Sequence, residues 1–202
     1  MSAVQTTSVF SSDRERRLWR WTLLAVVGIY STLGIVPVLA EWLHNQGLAA
    51  AAFLGSMLLI GLTVVMQGLK AKPGGREIGV ALGIAAVYIM LFLRLTLPER
   101  SHLIEYSVVA VFLYEALIER ARQGRRVPLP PLLAIVVTSI IGTTDECIQM
   151  FVPNRFFAWE DVLFNVLASL MAVTGMVTLA WAKRLTQRFA HQDEQPIGPD
   201  DS

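Results

Sequence analysis

Long apolar segments constrain this chain more than any other feature of its sequence. Six of them approach the roughly 20 mostly apolar residues that a helix needs to span a bilayer. They are Leu18–Ala40, Leu48–Leu69, Ile78–Leu97, Ser101–Ile118, Leu132–Val152 and Val162–Ala182. Proline and glycine interrupt the connections, as at Pro73-Gly74-Gly75, so each segment is predicted to be a separate helix. The sequence therefore predicts an all-α, polytopic helical membrane protein with about six transmembrane helices.

The composition supports this fold class and excludes several others. Charged residues make up 16% of the 202 residues, whereas a soluble domain carries about 25%. The net charge of +1 gives no reason to expect a nucleic-acid partner. With Cys147 as the single cysteine, neither an internal disulfide nor a cysteine-rich zinc site can form. The first apolar stretch is too long for a signal peptide, so we expect it to be retained as a span.

The basic residues fall on alternate connections, which predicts the orientation of the spans. Fourteen of the 17 lysines and arginines lie before or in the first residues of the first span, between the second and third, between the fourth and fifth, or after the sixth. Because positively charged loops stay in the cytoplasm, both termini are predicted to be cytoplasmic (N-in/C-in). The chain then divides into a cytoplasmic segment 1–17, helices 1–3 over 18–96, a core of helices 4–6 over 97–182, and a cytoplasmic tail 183–202 that we expect to be disordered.

Polar side chains within the predicted spans gather at the outer ends of the later helices. An ionisable side chain at membrane depth is costly and by default marks a function. Three helix ends repeat polar residues at a spacing of three or four, which places them on one face of each helix. Arg155 lies in the turn between the last two spans and is the natural partner of a carboxylate or an anionic ligand. The residues of this predicted polar cluster are His102, Glu105, Asp145, Glu146, Gln149, Arg155, Asp161 and Asn165.

The same polar residues can also be explained by structural roles that involve no ligand. Acidic residues such as Glu160 and Asp161 are also favoured at a helix N-terminus in the headgroup region. The polar residues of the fifth span could instead form a buried ion-pair network with Arg155 and Arg94. Cys147 lies in the same stretch and is interpreted as a packing residue. The cluster contains a single histidine among carboxylates, which is weak evidence for a metal site. The sequence therefore predicts neither a metal nor a cofactor.

The residues around the fifth and sixth spans follow a defined pattern. They read Asp145-Glu146-Cys147-Ile148-Gln149-Met150-Phe151-Val152-Pro153-Asn154-Arg155, followed by Asp161 and Asn165. This stretch resembles the signature of the VanZ-like family, Asp-Glu-x-x-Gln-x-Phe-x-Pro-Gly-Arg, then an Asp and, four residues later, an Asn. His102 followed by Tyr106 is similar to the histidine motif of that family. The resemblance extends from about Leu97 to Gly175, and Asn154 and Ala168 stand where the family has glycines.

The resemblance implies a multi-pass protein of the bacterial inner membrane, with residues 97–182 as its VanZ-like core. The namesake of the family confers low-level teicoplanin resistance. Together with a polar cluster on the outer side, this favours a cell-envelope protein of the glycopeptide-resistance type that binds or handles an envelope lipid or peptidoglycan-related molecule. The partners it implies are membrane lipids and a lipid-linked envelope precursor.

Two other hypotheses stay open at this point. In one, the chain is an intramembrane hydrolase or transferase, with His102 as general base or metal ligand and the neighbouring acidic residues as acids or ligands. In the other, it is a structural or assembly subunit of a larger membrane complex, and the polar cluster stabilises the helix bundle. The sequence therefore assigns no catalytic residue.

Overall fold

All the regular secondary structure in the part of the chain that the structure describes is helical. The computed structural model describes residues 9–33, 42, 45–47, 74–94, 97–153 and 155–193. Within these ranges there is no strand, and the helices are α1 (Asp13–Thr32), α2 (Gly75–Arg94), α3 (Leu97–Arg122), α4 (Pro130–Gln149) and α5 (Trp159–Asp193). The predicted all-α fold class is confirmed.

Three of the described helices are long and apolar enough to cross a membrane: Ser101–Arg122, Pro130–Gln149 and Trp159–Arg188. They correspond to the fourth, fifth and sixth predicted spans. Large apolar side chains such as Ile140 and Leu163 lie exposed on them, as expected for helices that face lipid. The second predicted span lies outside the described residues, and the first is described only as far as residue 33. The described helices thus support a helical membrane protein.

Prolines mark where two of these helices begin. Pro98 lies in the first turn of α3, where its missing N–H leaves no helical hydrogen bond unmade. Pro130 and Pro131 occupy the first positions of α4. At the other end of the chain, α5 continues to Asp193. Residues 183–193 of the predicted tail are therefore helical, and residues 194–202 lie outside the described part.

The chain divides into two units that differ from the predicted segments. The first unit comprises Met1–Pro37 and Leu95–Thr174, and the second comprises Val38–Arg94 and Gly175–Ser202. In the first unit, α3 packs against both α1 and α4. The first helix therefore belongs with the core helices, whereas the sequence-based division grouped it with the second and third spans.

Ion pairs join the beginning of α1 to the end of α3 within the first unit. Arg14 contacts Glu115 at 2.9 Å and Glu119 at 3.3 Å. The fully buried Glu15 pairs with Arg120 at 2.9 Å. These contacts hold α1 against α3 at the end of α3 opposite to His102.

Candidate functional site

The ends of α3, α4 and α5 bring polar side chains together within the first unit. His102 and Tyr106 lie near the start of α3, Asp145 and Glu146 near the end of α4, and Asp161 in the first turn of α5. All of them except the partly exposed Asp161 are buried. The spacing of three or four residues does place the polar groups of each helix on one face, as the sequence predicts.

The imidazole of His102 lies between two carboxylates. Its Nε2 atom is 3.8 Å from Glu146 Oε1 and 3.7 Å from Asp161 Oδ2. Both distances exceed the roughly 2.7–3.2 Å of a hydrogen bond. The ring stacks on that of Tyr106, with centroids 6.1 Å apart. The imidazole therefore faces two carboxylates of different helices without being bonded to either.

Gln149 holds the two carboxylates of α4. Its Nε2 donates to Glu146 Oε1 at 2.9 Å and to Asp145 Oδ2 at 3.3 Å. Its Oε1 accepts a hydrogen bond from Arg155 Nη1 at 3.3 Å. Because the amide oxygen must face the guanidinium, the amide NH₂ is turned toward the carboxylates. The backbone N–H of Ala158 also donates to Glu146 Oε2, at 3.4 Å, so Glu146 is held from two directions.

Arg155 forms no ion pair with a carboxylate in the described part of the chain, contrary to the sequence-based expectation. Its half-buried guanidinium makes one hydrogen bond to the residues described, and the acceptor is the neutral amide of Gln149. The link from Arg155 to Asp145 and Glu146 therefore passes through Gln149. Arg94, the other arginine of the expected network, belongs to the second unit.

Asn165 packs directly on Gly142 of α4. A Cβ atom added at Gly142 would stand 2.7 Å from Asn165 Cβ and 2.8 Å from its Nδ2, so α4 and α5 approach too closely for any other residue. Asn165 is fully buried and lies one helical turn after Asp161. Gly142 is a site residue that was not predicted from the sequence. It lies four residues before Glu146, and this spacing could have placed it on the same helix face as the polar cluster.

The remaining candidates lie around this cluster. Glu105 is half-buried and makes no hydrogen bond or ion pair to any described residue. Cys147 and Glu160 are exposed, so neither belongs to the buried group. The exposure of Glu160 fits its interpretation as an acidic residue at a helix N-terminus.

Several buried polar atoms of the cluster have no hydrogen-bond partner among the described residues. They are His102 Nδ1, Tyr106 Oη, Asp145 Oδ1 and both amide atoms of Asn165. An unpaired buried polar group costs about 1–3 kcal/mol, and a native protein tolerates it where water, an ion or a reacting group completes the site. Groups other than these side chains, such as water or a bound ligand, would therefore complete the hydrogen bonding of the cluster.

Three of these side chains could hold a cation. His102, Asp145 and Glu146 each offer one donor atom, and the three atoms lie within 4.8 Å of one another. Imidazole nitrogen and carboxylate oxygen are common ligands of divalent metals. These three residues are therefore candidate metal ligands, although the sequence alone predicted no metal.

Comparisons of the chain with protein-family models, with curated proteins and with solved structures found no significant match. The resemblance to the VanZ-like family therefore stays a prediction that rests on the motif residues themselves.

Proposed function

We propose that the chain is a VanZ-like protein of the bacterial inner membrane that binds or handles an envelope lipid or peptidoglycan-related molecule. It spans the membrane six times with both termini in the cytoplasm, and its polar cluster lies at the extracytoplasmic side. The alternation of basic connections supports this orientation. The meeting of α3, α4 and α5 at one polar end supports a site there.

The observation that carries the proposal is the environment of Arg155. Its guanidinium is half-buried beside a group of carboxylates, yet the acceptor it contacts in the described part of the chain is the neutral amide of Gln149. A guanidinium presents five donors in a planar fork that matches phosphate and carboxylate. Lipid-linked envelope precursors carry phosphate groups. Arg155 is therefore placed to bind the anionic part of such a molecule.

Arg155→Ala is expected to weaken binding of a phosphate-bearing lipid. Removal of one charge-assisted contact of this kind costs about 2 kcal/mol or more, which corresponds to about a 30-fold loss of affinity. The measurement is binding of a polyprenyl phosphate to the purified protein in detergent. In cells, we expect the same variant to lose any teicoplanin resistance that the wild-type protein confers, while its level in the membrane stays normal.

Two controls make this test specific. Arg184→Ala removes an exposed arginine of α5, and its affinity should equal that of the wild type. The polyprenol without phosphate should bind wild type and Arg155→Ala equally. If Arg155→Ala binds the polyprenyl phosphate as tightly as the wild type does, Arg155 is not the anion contact.

The proposed orientation predicts which residues can be labelled from outside. In a Cys147→Ser background, a cysteine at the exposed Glu160 should react with a membrane-impermeant maleimide in intact spheroplasts. A cysteine at the exposed Gln187 should react only after lysis. Labelling of both cysteines in intact spheroplasts, or of Gln187→Cys alone, would contradict the N-in/C-in topology.

A second candidate function is that of an intramembrane hydrolase or transferase. It is favoured by His102 Nε2, which faces Glu146 and Asp161 from within 3.8 Å, as a general base with orienting carboxylates would. His102→Ala should then abolish turnover of a phosphate-bearing lipid while its binding persists. The assembly-subunit hypothesis would instead be favoured by stoichiometric partner proteins that co-purify after mild solubilisation.

A further inference from the structure

His102, Asp145 and Glu146 approach one another from two helices at distances typical of ligands around one ion. Two donors bound to the same metal at about 2.0–2.1 Å in a tetrahedral site lie about 3.3–3.5 Å apart. His102 Nε2 and Glu146 Oε1 are 3.8 Å apart, which is too far for a hydrogen bond. The donor atoms of all three residues fit within 4.8 Å. Small side-chain adjustments would therefore bring them to bonding distance of a common ion.

The charge of the cluster also favours a bound cation. Asp145 and Glu146 are adjacent in sequence and fully buried. Neither forms an ion pair with a lysine or arginine in the described part of the chain. Buried carboxylates are normally paired with a cation or coordinate a metal. A divalent cation between them and His102 would balance two adjacent buried acids.

Two buried oxygen atoms without a hydrogen-bond partner in the described part of the chain are a further indication of a bound cation. Asp145 Oδ1 is fully buried and has no hydrogen-bond partner among the described residues. Tyr106 Oη, from the neighbouring helix, is also fully buried and lies close to Asp145, but the two groups do not reach hydrogen-bonding geometry. A cation would pair with Asp145 Oδ1, and a water bound to that cation would pair with Tyr106 Oη. In a cluster of acids held together by hydrogen bonds alone, both oxygens would be expected to have partners.

Gln149 and Arg155 add the outer contacts that metal ligands usually have. Gln149 Nε2 donates to one oxygen of each carboxylate, and Arg155 fixes the orientation of that amide. Such contacts orient ligands and tune their basicity. Asp161 Oδ2 lies 3.7 Å from His102 Nε2 but is outside the group whose donor atoms all lie within 4.8 Å of one another.

We infer that His102, Asp145 and Glu146 bind a single divalent transition-metal cation of the Zn²⁺ or Mn²⁺ class. An imidazole with two carboxylates suits these ions, whereas a set of oxygen ligands alone would suit Ca²⁺ or Mg²⁺. Three protein ligands leave a coordination position open to water or a substrate oxygen. The inference goes beyond the proposed function and does not require that an anion bind Arg155.

The test measures metal binding by the full-length protein, purified without a polyhistidine tag and stripped with a chelator. Zn²⁺ and Mn²⁺ are titrated calorimetrically, and the metal retained after washing is quantified by mass spectrometry. We expect a single ion per chain in the wild type. His102→Ala should weaken binding by more than about 100-fold, because changes in outer contacts alone cost about 10–100-fold. Glu160→Gln, which alters an exposed acid nearby, should bind like the wild type.

Glu146→Gln separates metal binding from a structural role. The variant keeps the shape of the side chain but has a single acceptor where the carboxylate accepts from both Gln149 and Ala158, so its metal-free form should melt at or somewhat below the temperature of the metal-free wild type. The wild type should show a rise in Tm on adding Zn²⁺ or Mn²⁺, and the variant should show none. A stabilising network without a metal predicts no such rise in either protein.

Three results would overturn the inference. They are the absence of stoichiometric Zn²⁺ or Mn²⁺ in the wild type, equal binding of Ca²⁺ or Mg²⁺, and undiminished binding by His102→Ala. Arg155→Ala should still bind the metal, although less tightly. A failure of the metal test therefore leaves the test with polyprenyl phosphate intact.

Discussion

Gly142→Ala is expected to lower the free energy of unfolding by about 1–3 kcal/mol. The new methyl group would stand 2.7–2.9 Å from three atoms of Asn165. One of these atoms is the Cβ of Asn165, so rotation of the side chain cannot relieve the contact. The helices α4 and α5 must move apart, which draws Asp161 of α5 away from Glu146 of α4. Thermal unfolding in detergent should show a decrease in Tm of about 3–10 °C.

The control for this substitution is Gly28→Ala in α1. No described atom lies within 4 Å of a Cβ at that position. Alanine is favoured over glycine within a helix by up to about 1 kcal/mol, so the Tm of this variant should be unchanged or higher. Combining Gly142→Ala with Asn165→Gly should recover part of the lost stability, because it removes the atoms that clash. If Gly142→Ala melts like Gly28→Ala, α4 and α5 do not approach as closely as the structure shows.

The helices of the core could be predicted because their signals are local. Apolar runs of span length placed α3, α4 and the start of α5 within a few residues of the observed bounds, but α5 continues to Asp193 rather than ending at Ala182. The polar faces could be predicted for the same reason, since a spacing of three or four residues defines one side of a helix. Three predicted faces do meet, and His102 contacts groups on both neighbouring helices.

The contacts between helices could not be predicted, because they depend on how each helix is rotated and how closely it approaches the next. Arg155 lies near several acids in sequence, but its observed partner is the amide of Gln149. Gly142 has no polar side chain that would mark it in the sequence. Its importance comes from the close contact with Asn165 on another helix. The pairing of Glu15 with Arg120 joins positions far apart in the chain. It also explains why α1 belongs to the same unit as α3.

Glu15→Gln is expected to destabilise the protein near neutral pH by about 1–3 kcal/mol, the usual contribution of hydrogen bonds to a charged group. The buried carboxylate accepts a hydrogen bond from the N–H of Ser11 at 2.6 Å and one from Arg120 at 2.9 Å. Burial raises the pKa of the Glu15 carboxyl, but these bonds and the charge of Arg120 outweigh it, and the pKa lies below its ordinary value of 4.5. The folded state therefore favours the ionised form.

The sign of that shift sets how the effect depends on pH. Because the folded protein lowers the pKa of Glu15, its stabilising contribution is fully present above the ordinary pKa and is lost as pH falls through the lower, folded value. The difference in Tm between the wild type and Glu15→Gln should be widest at neutral pH and narrow below pH 4.5. Asp13→Asn is the control, because Asp13 pairs with Arg16 in solvent, where an ion pair contributes little. A difference in Tm that stays constant as the pH is lowered would mean that Glu15 stabilises the contact between α1 and α3 by packing rather than by its charge.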